Sequence, residues 1–121
     1  MTVRTERVAT RIREEIARML GREEVRDPRL TGMVSITGVE VSRDLRHARV
    51  FVTVMGSDPE ASLSGLRHAT GFIRSRLGPR LGLRLVPELV FEADHSLAYG
   101  NRMNELLNRL EIPPAEEGVV E

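Results

Sequence analysis

The residues with the most chemical reach in this sequence are its arginines. All 18 Lys-or-Arg positions are Arg, so every cation offers a planar fork of donors rather than a point charge. That fork matches phosphate and carboxylate oxygens. A bias of composition across a whole genome explains the choice of Arg over Lys better than function does. It does not explain the placement. Residues 1–22 hold six Arg against three Glu, and residues 66–84 hold five Arg and no acid. Residues 85–121 hold eight acids against two Arg, so the net charge of zero conceals a dipolar chain. A basic face that attracts polyanions is compatible with that sum.

The chemistry these groups support is phosphate contact. Arg4, Arg7, Arg11 and Arg18, with Arg22, fall into one stripe of a helix at about 100° per residue. Arg67, Arg74, Arg76 and Arg80, with Arg84, surround the small-residue run Ala69-Thr70-Gly71, where no acid neutralises them. Eight of these are the candidate nucleic-acid contacts: Arg4, Arg7, Arg11, Arg18, Arg67, Arg74, Arg76 and Arg80. The plainer reading makes each a solvated residue paired with a nearby acid. Arg11–Glu15 and Arg18–Glu14 have the spacing for such pairs, worth about 0.2–0.5 kcal/mol each.

Other chemistry is poorly served. Asp94-His95-Ser96 contains the residue types of a hydrolytic triad, but adjacent residues cannot aim at one another as a triad requires, and a helix cap explains them. His47 and His68 lack partners at metal-ligand spacing, there is no cysteine, and no glycine-rich phosphate cradle occurs. The sequence therefore reads as a non-enzymatic binder without metal or cofactor. Phe51, Phe72, Phe91 and Tyr99 are its only aromatics. Phe72 and Phe91 suit the core, so recognition of splayed bases on an aromatic sheet is disfavoured against contact by shape and phosphate.

These groups need a scaffold, and 121 residues make one domain with a core of its own. Val8, Ile12, Ile16 and Met19 recur at helical spacing, predicting an amphipathic helix over about 4–21. Asp27-Pro28-Arg29 is a turn. Val34 and Ile36 alternate with polar residues, then Val39 and Val41 take over after Gly38, which predicts a strand with a bulge. A polar turn at Ser42–Arg46 leads to a second strand through Ala48, Val50, Val52 and Val54, closing a hairpin. Asp58-Pro59-Glu60 starts a helix carrying Leu63 and Leu66. Ala69-Thr70-Gly71 bends the chain closely into another, carrying Ile73 and Leu77, which Gly78-Pro79 ends or distorts. Leu83, Leu85, Leu89 and Phe91 mark a third strand, with Pro87 at an edge or bulge. Asp94 or Ser96 caps a C-terminal helix with Leu97, Met103, Leu106, Leu107 and Leu110.

The order αββααβ plus a C-terminal helix, with a right-handed crossover into the third strand, predicts a three-stranded mixed sheet. This is an α+β fold, the type II KH-like domain. Residues 1–110 form it, and 111–121 are a disordered acidic tail. No apolar run nears the roughly 20 residues of a membrane span, and the N-terminus is too charged for a signal peptide. A cytoplasmic monomer is expected.

Several stretches together resemble the ribosome-binding factor A family. They are Arg7–Leu20 (RVATRIREEIARML), Asp27-Pro28-Arg29, Met33–Asp44 (MVSITGVEVSRD), His47–Val54, Gly71–Leu77 (GFIRSRL), Leu83–Phe91 (LRLVPELVF) and Asp94–Met103. The likeness spans about residues 4–107. That family replaces the Gly-x-x-Gly loop of true KH domains with an Ala-x-Gly interhelical kink, matched by Ala69-Thr70-Gly71. The resemblance implies binding to the free or immature small ribosomal subunit near the 5′-terminal helix of its rRNA. It also implies help in late folding and end processing of that RNA, growth in the cold, and cooperation with a ribosome-dependent GTPase. The competing reading is a protein-interaction module built on the apolar C-terminal helix and acidic tail.

Overall fold

The computed structural model of the chain describes residues 2–95. The expected C-terminal helix and acidic tail lie outside the described residues. The elements are α1 (Val3–Gly21), β1 (Met33–Val41), β2 (His47–Met55), α2 (Pro59–His68), α3 (Thr70–Leu81) and β3 (Glu88–Ala93). The sheet order is β1-β2-β3, with β1 antiparallel and β3 parallel to β2. That is the mixed sheet and αββααβ order expected of a KH-like α+β domain.

Each element has a local cause. The Thr2 hydroxyl accepts from the Thr5 amide at 3.1 Å, and Thr5 Oγ1 accepts from the Thr2 amide at 2.9 Å, a reciprocal cap on α1. Asp58 accepts from the Ala61 amide at 3.0 Å and Pro59 opens α2. The bulge falls at the phase change: Ile36 pairs with Val52, but Gly38 pairs with Phe51. Strand alternation then buries Ala48, Val50, Val52, Leu89 and Phe91 against Ile12, Ile16, Met19, Leu66, Ile73 and Leu77 from the helices. Burying each such side chain contributes about 1.5–3 kcal/mol.

Four expectations need correction. The third strand begins only at Glu88. Pro87 is buried just ahead of it, while Leu83 and Leu85 lie in the connection and Leu85 is exposed. A proline cannot donate to a ladder, and here its carbonyl is bonded by a side chain from α3 instead. Pro79 does not break α3, which runs on to Leu81. One lost amide bond in the last turn is outweighed by buried Leu77 and by the left-handed Gly82 cap, whose amide donates to Gly78 at 3.1 Å. Phe72 is not core; it stays 38% exposed, one residue out of phase with buried Ile73. Gly71 is not a point of close backbone approach, since nothing lies within 4 Å of where its Cβ would sit. The bend is carried by Ala69, whose φ of −88° and ψ of 5° interrupt the two helices. Thr70 donates back to the Leu66 carbonyl at 3.2 Å and so closes the end of α2.

No helix among the described residues is long and apolar enough to cross a membrane.

Candidate nucleic-acid interface

On α1, Arg4 and Arg7 are exposed and make no hydrogen bond or ion pair among the described residues. Arg11 and Arg18 do not form the four-residue pairs expected. Arg18 pairs instead with Glu15, three residues back, at 2.6 Å. Glu15 is buried at the rim of the core, and the Arg18 hydrogen bond, aided by Arg80 and Arg11, holds its carboxyl below the usual range. Arg11 reaches across to α3 and donates from Nη2 to the Arg80 carbonyl at 2.8 Å.

The acid-free segment splits into two groups. Arg67 and Arg74 turn toward β3. Arg67 Nε donates to the Phe91 carbonyl at 3.2 Å. Arg74 donates from Nε to Pro87 at 3.1 Å and from Nη2 to Val86 at 2.7 Å, fixing the strand's approach. Phe72, Arg76 and Arg80 instead share a row at four-residue spacing, whose Arg80 end meets α1 through Arg11. Arg80 Nη2 bonds Glu24 at 3.0 Å, while its Nη1 is buried with no partner among the described residues. A stretch without acids thus finds its counterion in a distant loop. Arg76 lies with its guanidinium carbon 4.8 Å from the centroid of the Phe72 ring and has no carboxylate partner among the described residues.

The structure therefore brings Arg11 of α1 onto Arg80 of α3, while Arg7 and Arg4 lie one and two turns nearer the start of α1 and Arg76 one turn earlier on α3. Arg67 and Arg74 stand apart. Ala69 caps the start of α3, and Thr70 and Gly71 are its first two residues. Of these basic groups, Arg4, Arg7 and Arg76 make no hydrogen bond or ion pair among the described residues, so their donors face a ligand. Such an arrangement suits phosphate oxygens, which accept charge-assisted bonds. Sequence reasoning missed Phe72 as part of the Arg76–Arg80 row. Its phase relative to Ile73 and its four-residue spacing to Arg76 were the available signals.

The remaining charged groups are structural or solvated. Asp27 accepts from the Arg29 side chain and amide, both at 2.9 Å, and the Arg29 contact lowers its carboxyl to about 2. Asp94 serves the sheet: its amide donates to Val52 at 2.7 Å and its carboxylate accepts from Thr37 at 2.6 Å. Among the described residues, no group of three or more His, Cys, Asp or Glu side chains is placed to hold a metal ion.

Fold and site together define an α+β domain with a three-stranded mixed sheet whose helices α1 and α3 present exposed arginines. The chain belongs to the ribosome-binding factor A family, whose pattern it matches over residues 4–107. It is 51% identical over 118 residues to ribosome-binding factor A of Magnetococcus marinus, covering 97% of this chain and 96% of that one. Two structural likenesses, one of them a fitted homology model, show the same fold. The crystal structure of ribosome-binding factor A from Thermus thermophilus superposes with a TM-score of 0.63 at 24% identity, covering 74% of this chain and 94% of the other. A homology model of the Thermus thermophilus factor, fitted into the cryo-EM map of a complex with the 30S subunit, gives 0.59 at 23%, covering 79% and 97%.

Proposed function

We propose that this protein binds the free small ribosomal subunit through its rRNA and assists late folding and end processing of that RNA. The observation that carries the reading is family membership over residues 4–107. The Thermus factor's fit into a 30S complex is of a piece with it. Arginines of α1 and α3 supply the chemistry. Arg4, Arg7 and Arg76 contact phosphates directly, while Arg11, Arg18 and Arg80 add charge from behind their protein partners. Arg67 and Arg74 contribute field rather than contact. The kink at Ala69-Thr70-Gly71 lets the RNA backbone approach α3.

The mechanism is passive. A binder shifts an RNA equilibrium only by its extra affinity for one conformation, so no catalysis, metal or cofactor is needed. The protein acts as a monomer in the cytoplasm, and a ribosome-dependent GTPase is the natural agent of later steps. Sedimentation tests this. Mixed with free small subunits, large subunits and intact ribosomes, the protein is expected to travel with free small subunits alone. Equal association with large subunits overturns the reading.

A further inference from the structure

Phe72 is the large apolar side chain that α3 turns away from the core. Its neighbour Ile73 is fully buried, and about 100° of helix rotation separates the two. A single exposed phenylalanine is commonplace. The surroundings of this one are less so. Arg76 holds its guanidinium carbon 4.8 Å from the ring centroid, which fixes a cation against the ring. Among the described residues no carboxylate pairs with that cation, unlike Arg80, which Glu24 holds. On the other side in sequence, Gly71 leaves open space where a side chain would stand.

We infer that the Phe72–Arg76 pair is a stacking platform for one unpaired nucleobase. The inference rests on the rRNA reading above and names the part of the RNA that this pair takes. Every base has a π-face, so an aromatic ring holds it without sequence preference, and an adjoining guanidinium extends the stack. Gly71 leaves room for the same nucleotide's sugar and phosphate to pass close to the backbone. A duplex cannot use the ring, because its bases are already stacked on one another. A protein partner fits less well. A phenylalanine anchor at a protein interface works in a desolvated surface, whereas the row around Phe72 offers Ser75, Arg76 and Pro79.

The chain contains no tryptophan, so Phe72→Trp installs a single fluorophore at the platform. The full-length variant is titrated with an unstructured RNA of about 12 nucleotides, with a duplex of equal length, and with purified small subunits. The inference predicts quenching by the single strand and by the subunit, and none by the duplex. It also predicts that Phe72→Leu, apolar but ringless, binds the single strand about tenfold more weakly, while duplex affinity and thermal unfolding match the parent. An unquenched tryptophan together with parental affinity of Phe72→Leu overturns the platform. If the parent still sediments with small subunits, the ribosomal reading survives that result. Quenching by the subunit's proteins but by no RNA also overturns the platform. A parent that binds neither RNA nor subunit overturns both.

Discussion

Arg11 of α1 donates to the backbone carbonyl of Arg80 near the end of α3, 2.8 Å away. The side chain of that same Arg80 bonds Glu24, just beyond α1, at 3.0 Å. Two arginines thus clasp the helices that carry the proposed interface, one through its head and the other through both head and backbone. The clasp sets how α1 and α3, the helices that carry Arg7 and Arg76, lie against each other.

Breaking the clasp should loosen the fold. Arg80→Ala leaves Glu24, only 20% exposed, without its partner and removes a buried stem. A loss of about 1–3 kcal/mol is expected in urea unfolding. Arg80→Lys should lose less, because the ammonium can still reach for Glu24 and the orphaned Nη1 disappears. Equal stability of all three proteins would show that the clasp holds nothing.

Arg74 and Arg76 should separate cleanly although only one residue lies between them. Arg74→Ala strips two charge-assisted bonds from the carbonyls of Val86 and Pro87 and should cost about 1.5–3 kcal/mol of stability. Arg76→Ala removes a surface contact and should change stability by less than about 0.5 kcal/mol while weakening RNA binding. Thermal unfolding and a binding titration on the two variants decide this. The reverse pattern contradicts the division between Arg74, bonded to the approach of β3, and Arg76, exposed beside Phe72.

Acid should expose the Asp27–Arg29 pair. The folded carboxyl sits near 2 because Arg29 bonds it, against about 3.9 in an unfolded chain. A depressed carboxyl stabilises the fold above the unfolded value, and the benefit fades as pH falls from about 4 toward 2. The melting temperature of the parent should therefore exceed that of Asp27→Asn at pH 7, with the gap closing by pH 2. A gap that is constant with pH would remove ionisation as its cause.

Two glycines should respond oppositely. A Cβ on Gly32 would meet the Met55 carbonyl oxygen at 2.7 Å, so Gly32→Ala forces the hairpin's end to shift and should lower the melting temperature. Gly71 has open space and lies inside a helix, so Gly71→Ala should hold or raise stability by about 0.5–1 kcal/mol. If RNA passes beside the kink as proposed, the stabilised Gly71→Ala protein should nevertheless bind it more weakly.

The sequence carried the local signals well. Cap residues, strand alternation and the phase slip at Gly38 predicted the elements, and a short β–αα–β crossover predicted the parallel pair. What it could not carry were choices made by distant neighbours. Arg74 lies in an acid-free run, and its partners are carbonyls more than ten residues away. Arg80 finds Glu24 across a helix pair. Pro79 violates a helix rule that the packing of Leu77 overrides. Hydrophobicity alone assigns Phe72 to the core, although its phase places it outside. The α1 stripe of arginines was therefore legible, because one helix's geometry dictates it alone.

In the proposed function, arginines of α1 and α3 hold the rRNA of the small subunit. The direct measurement is the salt dependence of binding to free small subunits for Arg7→Glu/Arg76→Glu, compared with Arg13→Glu, an exposed position roughly half a turn away on α1. If both arginines contact phosphate, the double variant binds more weakly and its slope of log affinity against log salt flattens by about two. Arg13→Glu should keep nearly the parental slope. Identical slopes for the double variant and the parent would contradict the account.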